Sequence, residues 1–246
     1  MDRLDAAAIV LGGVDVRVVQ RCGSTNDVAL KASPPVLIAA EEQTAGRGRR
    51  GRRWHSAPGA GITFSLARRV DRPARELAAL SLVAGVAVAR ALHALGVKAA
   101  RLKWPNDLVV DDAKLGGILV ETRNSHAVIG IGLNCRRTPA LEAKVRRRLA
   151  FLYDSLSIKR NQVIQRVGLA LVEAVDRFEK HGLEALRAEW EAMHAHAGQR
   201  LRVRLADGRT LSGIAAGLGT DGALQLQTRH GMRAVTSGRV VSARAA

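Results

Sequence analysis

The sequence predicts an α/β chain that ends in a small antiparallel β-barrel. Three observations predict it. Through the first two-thirds of the 246 residues, apolar positions alternate between strand-like and helix-like periods. From Gly198 onward, short alternating runs are separated by turn signals at regular intervals. The composition, 47% apolar and 25% charged, supports a substantial core and argues against disorder. Aromatic residues supply only 3%, so Ala, Leu and Val must fill that core.

Taken in order, Val14, Val16 and Val18 alternate like a strand. Ser24 then reads as the N-cap of a short helix through Lys31, with Asp27 three residues on as an approximate capping box. Residues 36–40 are a short apolar run ending in the polar segment 41–53, and residues 62–66 resume strand character. Pro73 stands where a helix would start and Gly96 where it would stop, with an apolar stretch suited to a buried helix between them. Residues 101–110, 117–121 and 127–133 predict three strands separated by short turns. A long helical pattern covers 159–181, Gly182 breaks it, and 183–193 continue as another helix. Beyond Gly198, Leu201, Val203 and Leu205 alternate, with turns at Asp207-Gly208, 219–222 and 229–231. A boundary is expected near Ala197, dividing the chain into 1–197 and 198–246, with no internal repeat or low-complexity linker.

The net charge of +17 calls for an anionic partner, and nucleic acid, an acidic protein or a phosphorylated ligand all answer that description. Cys22 and Cys135 form neither a metal-ligand spacing nor a disulfide framework, and the seven histidines are scattered. A reduced cytosol is the expected compartment. Acidic and basic residues interrupt the N-terminus before any signal-like stretch, and no apolar run reaches the roughly twenty residues that span a membrane.

Several segments could carry chemistry. In Gly46-Arg47-Gly48-Arg49-Arg50-Gly51-Arg52-Arg53-Trp54, glycines let the backbone approach a ligand, while guanidinium groups offer paired hydrogen bonds to carboxylate or phosphate. Such a run suits a ligand-binding loop or a solvated basic loop equally well. No Gly-Lys-Ser/Thr ending follows, so it is not a Walker A loop. In Lys103-Trp104-Pro105-Asn106-Asp107, the last two residues suit either a common Asn-Asp turn or contacts to a ribose, base or metal. Lys114 precedes Gly116-Gly117 and an apolar strand ending at Glu121, which puts an ammonium group at a strand mouth with little cover. Gly130-Ile131-Gly132-Leu133-Asn134 permits close approach and ends in an amide, and Ser24-Thr25-Asn26 sets three polar side chains at a helix start.

Each segment alone has an ordinary structural explanation. Taken together and in this order, they resemble the biotin protein ligase family, in the form without an N-terminal DNA-binding domain. The resemblance runs from about Gly23 to the C-terminal end. It is strongest in the loop Glu42-Gln43-Thr44-Ala45-Gly46-Arg47-Gly48-Arg49-Arg50-Gly51-Arg52-Arg53-Trp54, in Lys-Trp-Pro-Asn-Asp and in Lys-Leu-Gly-Gly-Ile-Leu-Val-Glu. It implies a class II synthetase-like catalytic unit, a mixed sheet packed on helices, followed by an SH3-like barrel. The implied activity joins biotin to ATP as biotinyl-5'-AMP, then passes biotin to a lysine of an apo biotin carboxyl carrier protein.

The resemblance also implies residue roles. Ser24, Thr25, Asn26 and Gln43 would meet the ureido end of biotin. Gly46, Arg47, Gly48 and Arg49 would close over its carboxylate and the ATP phosphates. Lys114 would reach the carboxylate and α-phosphate, with Arg47 and Arg49 as its catalytic companions. Arg49, Trp54, Asn106, Asp107, Lys114 and Asn134 would line the ATP side, and Gly117, Gly130 and Gly132 the floor of the biotin pocket. Mg²⁺ is expected to arrive on the ATP phosphates, with no protein ligand assigned. A homodimer is allowed. Neither a membrane nor a specific DNA site is expected, because the 23 residues before Ser24 are too few for a winged helix. Gly116 replaces an alanine found in some members, and residues 136–156, with Arg146, Arg147 and Arg148, match no motif. Two rival readings are a lipoate or octanoate ligase or transferase of the same fold and a basic nucleic-acid-binding module. Three Phe, three Trp and one Tyr are few for the latter's stacking platforms.

Overall fold

Side-chain alternation along the strands decides how the molecule is layered. The computed structural model describes residues 2–123, 125–145 and 147–245, so Arg146 of the arginine run lies outside the described residues. In chain order, β1 (Asp15–Cys22) leads through α1 (Thr25–Lys31) to β2 (Val36–Gln43) and β3 (Gly61–Arg69). Then come α2 (Leu80–Ala94), the β4–β5 hairpin (Arg101–Lys103 and Asp107–Val110), β6 (Ala113–Arg123) and β7 (His126–Asn134). The helices α3 (Pro139–Lys144), α4 (Arg160–His181) and α5 (Glu184–Ala192) follow. The strands β8 (Arg200–Leu205), β9 (Thr210–Leu218), β10 (Leu224–Thr228), β11 (Gly231–Val235) and β12 (Gly238–Arg244) complete the chain.

The first seven strands form one mixed sheet in the order β1-β2-β3-β7-β6-β5-β4. β1 and β2 run parallel and the other neighbours antiparallel. One face carries Leu37, Ala39, Ile62, Phe64, Leu66, Ile129, Ile131 and Ile118 into the main core, under α2 and α4. The helix α2 lies almost wholly inside it, which is why its sequence is apolar on every side. The segment Leu77–Ala94 has the length and hydropathy to cross a membrane, yet 72% of it is buried against the rest of the chain. The opposite face carries Val36, Ile38, Ala67 and Val128 against Ala29 of α1. The start of α1, the loop after β2 and the edge of β12 border the rest of that face, leaving a cavity between them.

The last five strands form an antiparallel sheet in the order β11-β10-β9-β8-β12, with register shifts in β10–β9 and β12–β8 that bend it. It docks through Trp104, whose Nε1 donates to the carbonyl of Gly222 (3.3 Å).

Three local expectations change. The strand expected over 101–110 is two strands rather than one, because Trp104-Pro105-Asn106 turns the chain back on itself. The helix expected from Pro73 starts as a 3₁₀ turn at Leu77–Ala79 and becomes α-helical only at Leu80. Ser24 holds the N-cap position of α1 but makes no capping bond; Asp27 is drawn instead to an arginine of the basic loop. A short helix, α3, lies within the stretch 136–156 that matched no motif, with Thr138 as its N-cap.

Candidate active site

The open face of the sheet holds a cavity of about 320 Å³. Its floor follows from strand parity. Gly130 and Gly132 of β7 point the same way as Val128, away from the main core. Register sets Gly132 between Thr63 and Gly117, and Gly130 between Ser65 and Leu119. These glycines are demanded by close approach. A Cβ on Gly130 would overlap the Asn26 amide, and one on Gly132 would lie 2.5 Å from the Trp54 ring. Gly117 is pressed by the Lys114 ammonium, 2.9 Å from where its Cβ would be.

One wall is a buried polar cluster at the start of α1. The Ser65 hydroxyl donates to Asn26 Oδ1 (2.6 Å) and shares a hydrogen bond with Thr25 Oγ1 (2.7 Å). Gln43 Oε1 accepts from the Thr25 backbone N–H (2.7 Å) and hydroxyl (3.1 Å). Asn26 Nδ2 donates to Glu121 Oε2 (2.6 Å) and to the Leu119 carbonyl (3.3 Å), so its amide orientation is determined at both ends. Ser24, Thr25 and Asn26 are all buried.

The roof is the basic loop, folded into a small hairpin between β2 and β3. Arg47 and Arg53 pair antiparallel, the Trp54 N–H donates to the Gly46 carbonyl (2.9 Å), and the Gly48 N–H to that of Arg52 (2.7 Å). The tip at Arg49–Gly51 turns through left-handed angles, φ 58° at Arg50 and 71° at Gly51. Gly46 lets the two limbs meet, since a Cβ there would sit 2.7 Å from the Trp54 carbonyl. Arg47 anchors the hairpin, donating to Asp27 (2.6 Å) and Glu121 (2.8 Å). Those two carboxylates, Asp27 first, hold its guanidinium above the usual range. Arg49 is half-buried; burial, then the neighbouring Arg50 charge, pulls it below the usual range, with Asp107 opposing.

The third wall centres on Lys114. Strand β6 carries it inward: its side chain is 11% exposed, and its ammonium group is bonded to Asp107. This corrects the expectation of a lysine with little cover. Burial pulls the ammonium pKa down, with Asp107 opposing. Arg147 approaches the other oxygen of Asp107 at 3.4 Å, and the Trp54 ring centre lies 5.6 Å from the ammonium group. The turn leading to Asp107 is secured by Asn106, whose side chain and carbonyl both bond to the backbone of Ile118.

Of the residues singled out in the sequence, all but Gly46 and Asn134 line this cavity. Gly46 acts within the hairpin. Asn134 lies behind the wall, donating to the carbonyls of Lys114 (2.9 Å) and Ala150 (3.3 Å) and tying β6 to the segment after α3. Sequence reasoning missed Ser65, Glu121, Arg147 and the β12 residues Arg239 to Val241. Ser65 had a signal, because Thr63 and Ser65 alternate with Ile62, Phe64 and Leu66 and so put hydroxyls on the face away from the core. The β12 residues had none, since only docking of the second sheet brings them here.

Asp107 is the one carboxylate among the described lining residues, and no cluster of three metal-ligating side chains occurs among them. That donor set does not build a protein cage for a divalent ion. That single carboxylate is already engaged by Lys114 and approached by Arg147.

The chain matches the Biotin/lipoate A/B protein ligase family over residues 19–134 and the Biotin protein ligase C terminal domain over residues 196–241. The biotin--[acetyl-CoA-carboxylase] ligase of Mycobacterium tuberculosis is 34% identical over 92% of this chain and 88% of its own length. The bifunctional ligase/repressor BirA of Escherichia coli is 33% identical over 88% of this chain and 70% of its own. In other bifunctional relatives the shared part falls to between 60% and 64% of their length. The biotin protein ligase from Aquifex aeolicus, solved in complex with biotin and ATP, superposes with a TM-score of 0.81 at 27% identity, over 94% of this chain and 99% of that one. The chain belongs to the biotin protein ligase family.

Proposed function

We propose that this protein is an ATP-dependent biotin ligase acting on a carrier-protein lysine. The observation that carries the reading is the cavity itself. A glycine floor is closed by an arginine hairpin on one side and a buried lysine on another, beside a polar cluster shaped for a small uncharged head group. In the first step a biotin carboxylate oxygen attacks the α-phosphorus of ATP, the bond to the β-phosphate breaks, and pyrophosphate leaves. Two anions must meet for this; Lys114 and Arg49 supply the cationic surroundings that offset their repulsion, while Arg47, held by Asp27 and Glu121, fixes the hairpin over them. Mg²⁺ on the phosphates supplies further charge neutralisation. In the second step a carrier lysine amine attacks the acyl carbonyl, loses a proton, and expels AMP. The hairpin excludes water from the mixed anhydride in between.

Within this reading the ureido ring rests on Gly130 and Gly132 against Thr25, Asn26 and Gln43, and the nucleotide lies toward Trp54, Asn106 and Asp107. We place the boundary between the two units near Ala197, a position supported by the C-terminal match starting at 196 and by β8 starting at Arg200. Two free cysteines suit a reducing cytoplasm. The test is pyrophosphate release from ATP on adding biotin, with lipoate as control. Release with biotin and not lipoate is expected; release with lipoate alone would overturn the substrate assignment in favour of the lipoate ligases of the same class.

A further inference from the structure

The exposed face of β8 and β12 is a ladder of arginines with no acidic partner among the described residues. Arg200, Arg202 and Arg204 alternate with buried Leu201 and Val203, so all three point outward. Register then sets Arg204 opposite Arg239 and Arg200 opposite Arg244 across the β12–β8 pair. Like charges directly opposite each other cost a sheet stability. None of the five is salt-bridged among the described residues, whereas about half of the described arginines before residue 198 are. On the neighbouring strand β9 the facing residues are Thr210, Ser212 and Ile214, so no carboxylate relieves the ladder from that side either. The whole of residues 198–246 carries eight arginines against two aspartates.

The ladder has a direction. Its Arg239 end lines the cavity described above, together with Val241 of the same strand. Its Arg200 end lies two strand rungs or more from it. An arginine strip that starts at a cavity mouth and runs outward across an exposed sheet face is placed to hold something too large to enter. Resting on the proposed activity, we infer that the β8–β12 arginine ladder docks the carrier protein, through an acidic surface flanking the acceptor lysine. A small folded carrier delivering its lysine to the cavity must cover the residues at the mouth. Attraction along the strip would raise the encounter rate and orient the approach without adding to the chemistry.

The test separates docking from activation. In the variant carrying Arg200→Glu, Arg202→Glu and Arg204→Glu, none of the changed residues lines the cavity, so biotin-dependent pyrophosphate release should stay at the wild-type rate. The KM for an apo biotin carboxyl carrier domain with acidic residues beside its lysine should rise about tenfold or more at low salt, with kcat unchanged. Raising the ionic strength should erase most of the difference. Wild-type enzyme with a carrier domain whose flanking carboxylates are replaced by amides should show the same loss, which keeps the test sound even if the triple variant folds poorly. An unchanged KM in both experiments would overturn the inference. So would an unchanged KM accompanied by lost retention of a DNA duplex, which would assign the ladder to polyanions. Absence of biotin-dependent pyrophosphate release by the wild type would instead sink the proposed function and be seen before any carrier is added.

Discussion

At the scale of single residues, Lys114 shows how burial changes what a charge does. An ammonium group on a surface strand would be a weakly held point charge. Inside β6, desolvation disfavours its charge while Asp107 restores it, so the pair depends on each partner. Replacing Lys114 by Ala removes a preorganised donor from the meeting point of two anions. Adenylate formation should slow by about 10²–10³-fold, the usual cost of such a donor. Transfer from preformed biotinyl adenylate should suffer less, because the anions have already been joined. The substitution also strands a carboxylate that is only 20% exposed, though Arg147 still faces it. Stability should therefore fall, by less than the ~3–5 kcal/mol typical of breaking a buried pair. Adding Asp107→Asn should recover stability but not activity. Urea denaturation beside pyrophosphate release measures both, and a wild-type rate in Lys114→Ala would reject the assigned role.

At the scale of elements, the arginine hairpin is held by its ends and left cationic at its tip. Arg47 is neutralised by Asp27 and Glu121, and Glu121 also grips Asn26, so α1, β6 and the hairpin are tied through one carboxylate. Arg49, Arg50 and Arg52 repel one another above the cavity, and the Arg50 guanidinium donates to Ser237 in the turn between β11 and β12 (3.0 Å). An anionic ligand beneath would relieve that repulsion and tighten the roof. Tryptic cleavage at residues 49–53 should therefore slow several-fold when biotin and ATP are added together, and equal cleavage with and without them would contradict this. Arg49→Gly should loosen retention of the adenylate, seen as biotin appearing on unrelated lysines of bystander protein.

At the scale of the whole molecule, the junction between the two sheets contains two buried histidines in the segment leaving α5. His194 and His196 are 7% and 1% exposed, with ring centres 6.0 Å apart. His196 bonds Asp112 (2.9 Å), whereas His194 stacks on Trp190 with its Nε2 unpartnered. Burial, reinforced by His196, pushes His194 down to about 4. The unfolded chain, titrating near 6.5, takes up a proton that the folded chain refuses. Stability from this site is therefore complete above pH 6.5 and is lost as pH falls toward 4. Between pH 7.5 and 5 the loss should be about 2 kcal/mol. His194→Phe should flatten that dependence, as read by urea denaturation at the two pH values; an unchanged slope would show that the titration lies elsewhere.

How much of this was legible in the sequence varies with the distance over which it was decided. Periodicity and punctuation determined the strands, the buried helix α2, the breaks at Gly96 and Gly182, and the change of architecture near Gly198, because they depend on neighbours within a few residues. The chemical types at Ser24 to Asn26, in the arginine-glycine run and around Lys114 identified the family for the same reason: each motif is a continuous stretch. The tertiary structure decided what those stretches face. Register between β6 and β7 turned three glycines into one floor, and strand parity turned Lys114 inward onto Asp107. Packing of one sheet on another brought Arg239 to the cavity, and chain reversal brought Arg147 to Asp107. Such pairings join residues from 7 to 187 positions apart, and their energy lies in contacts, burial and opposed charges that periodicity along the chain does not reveal.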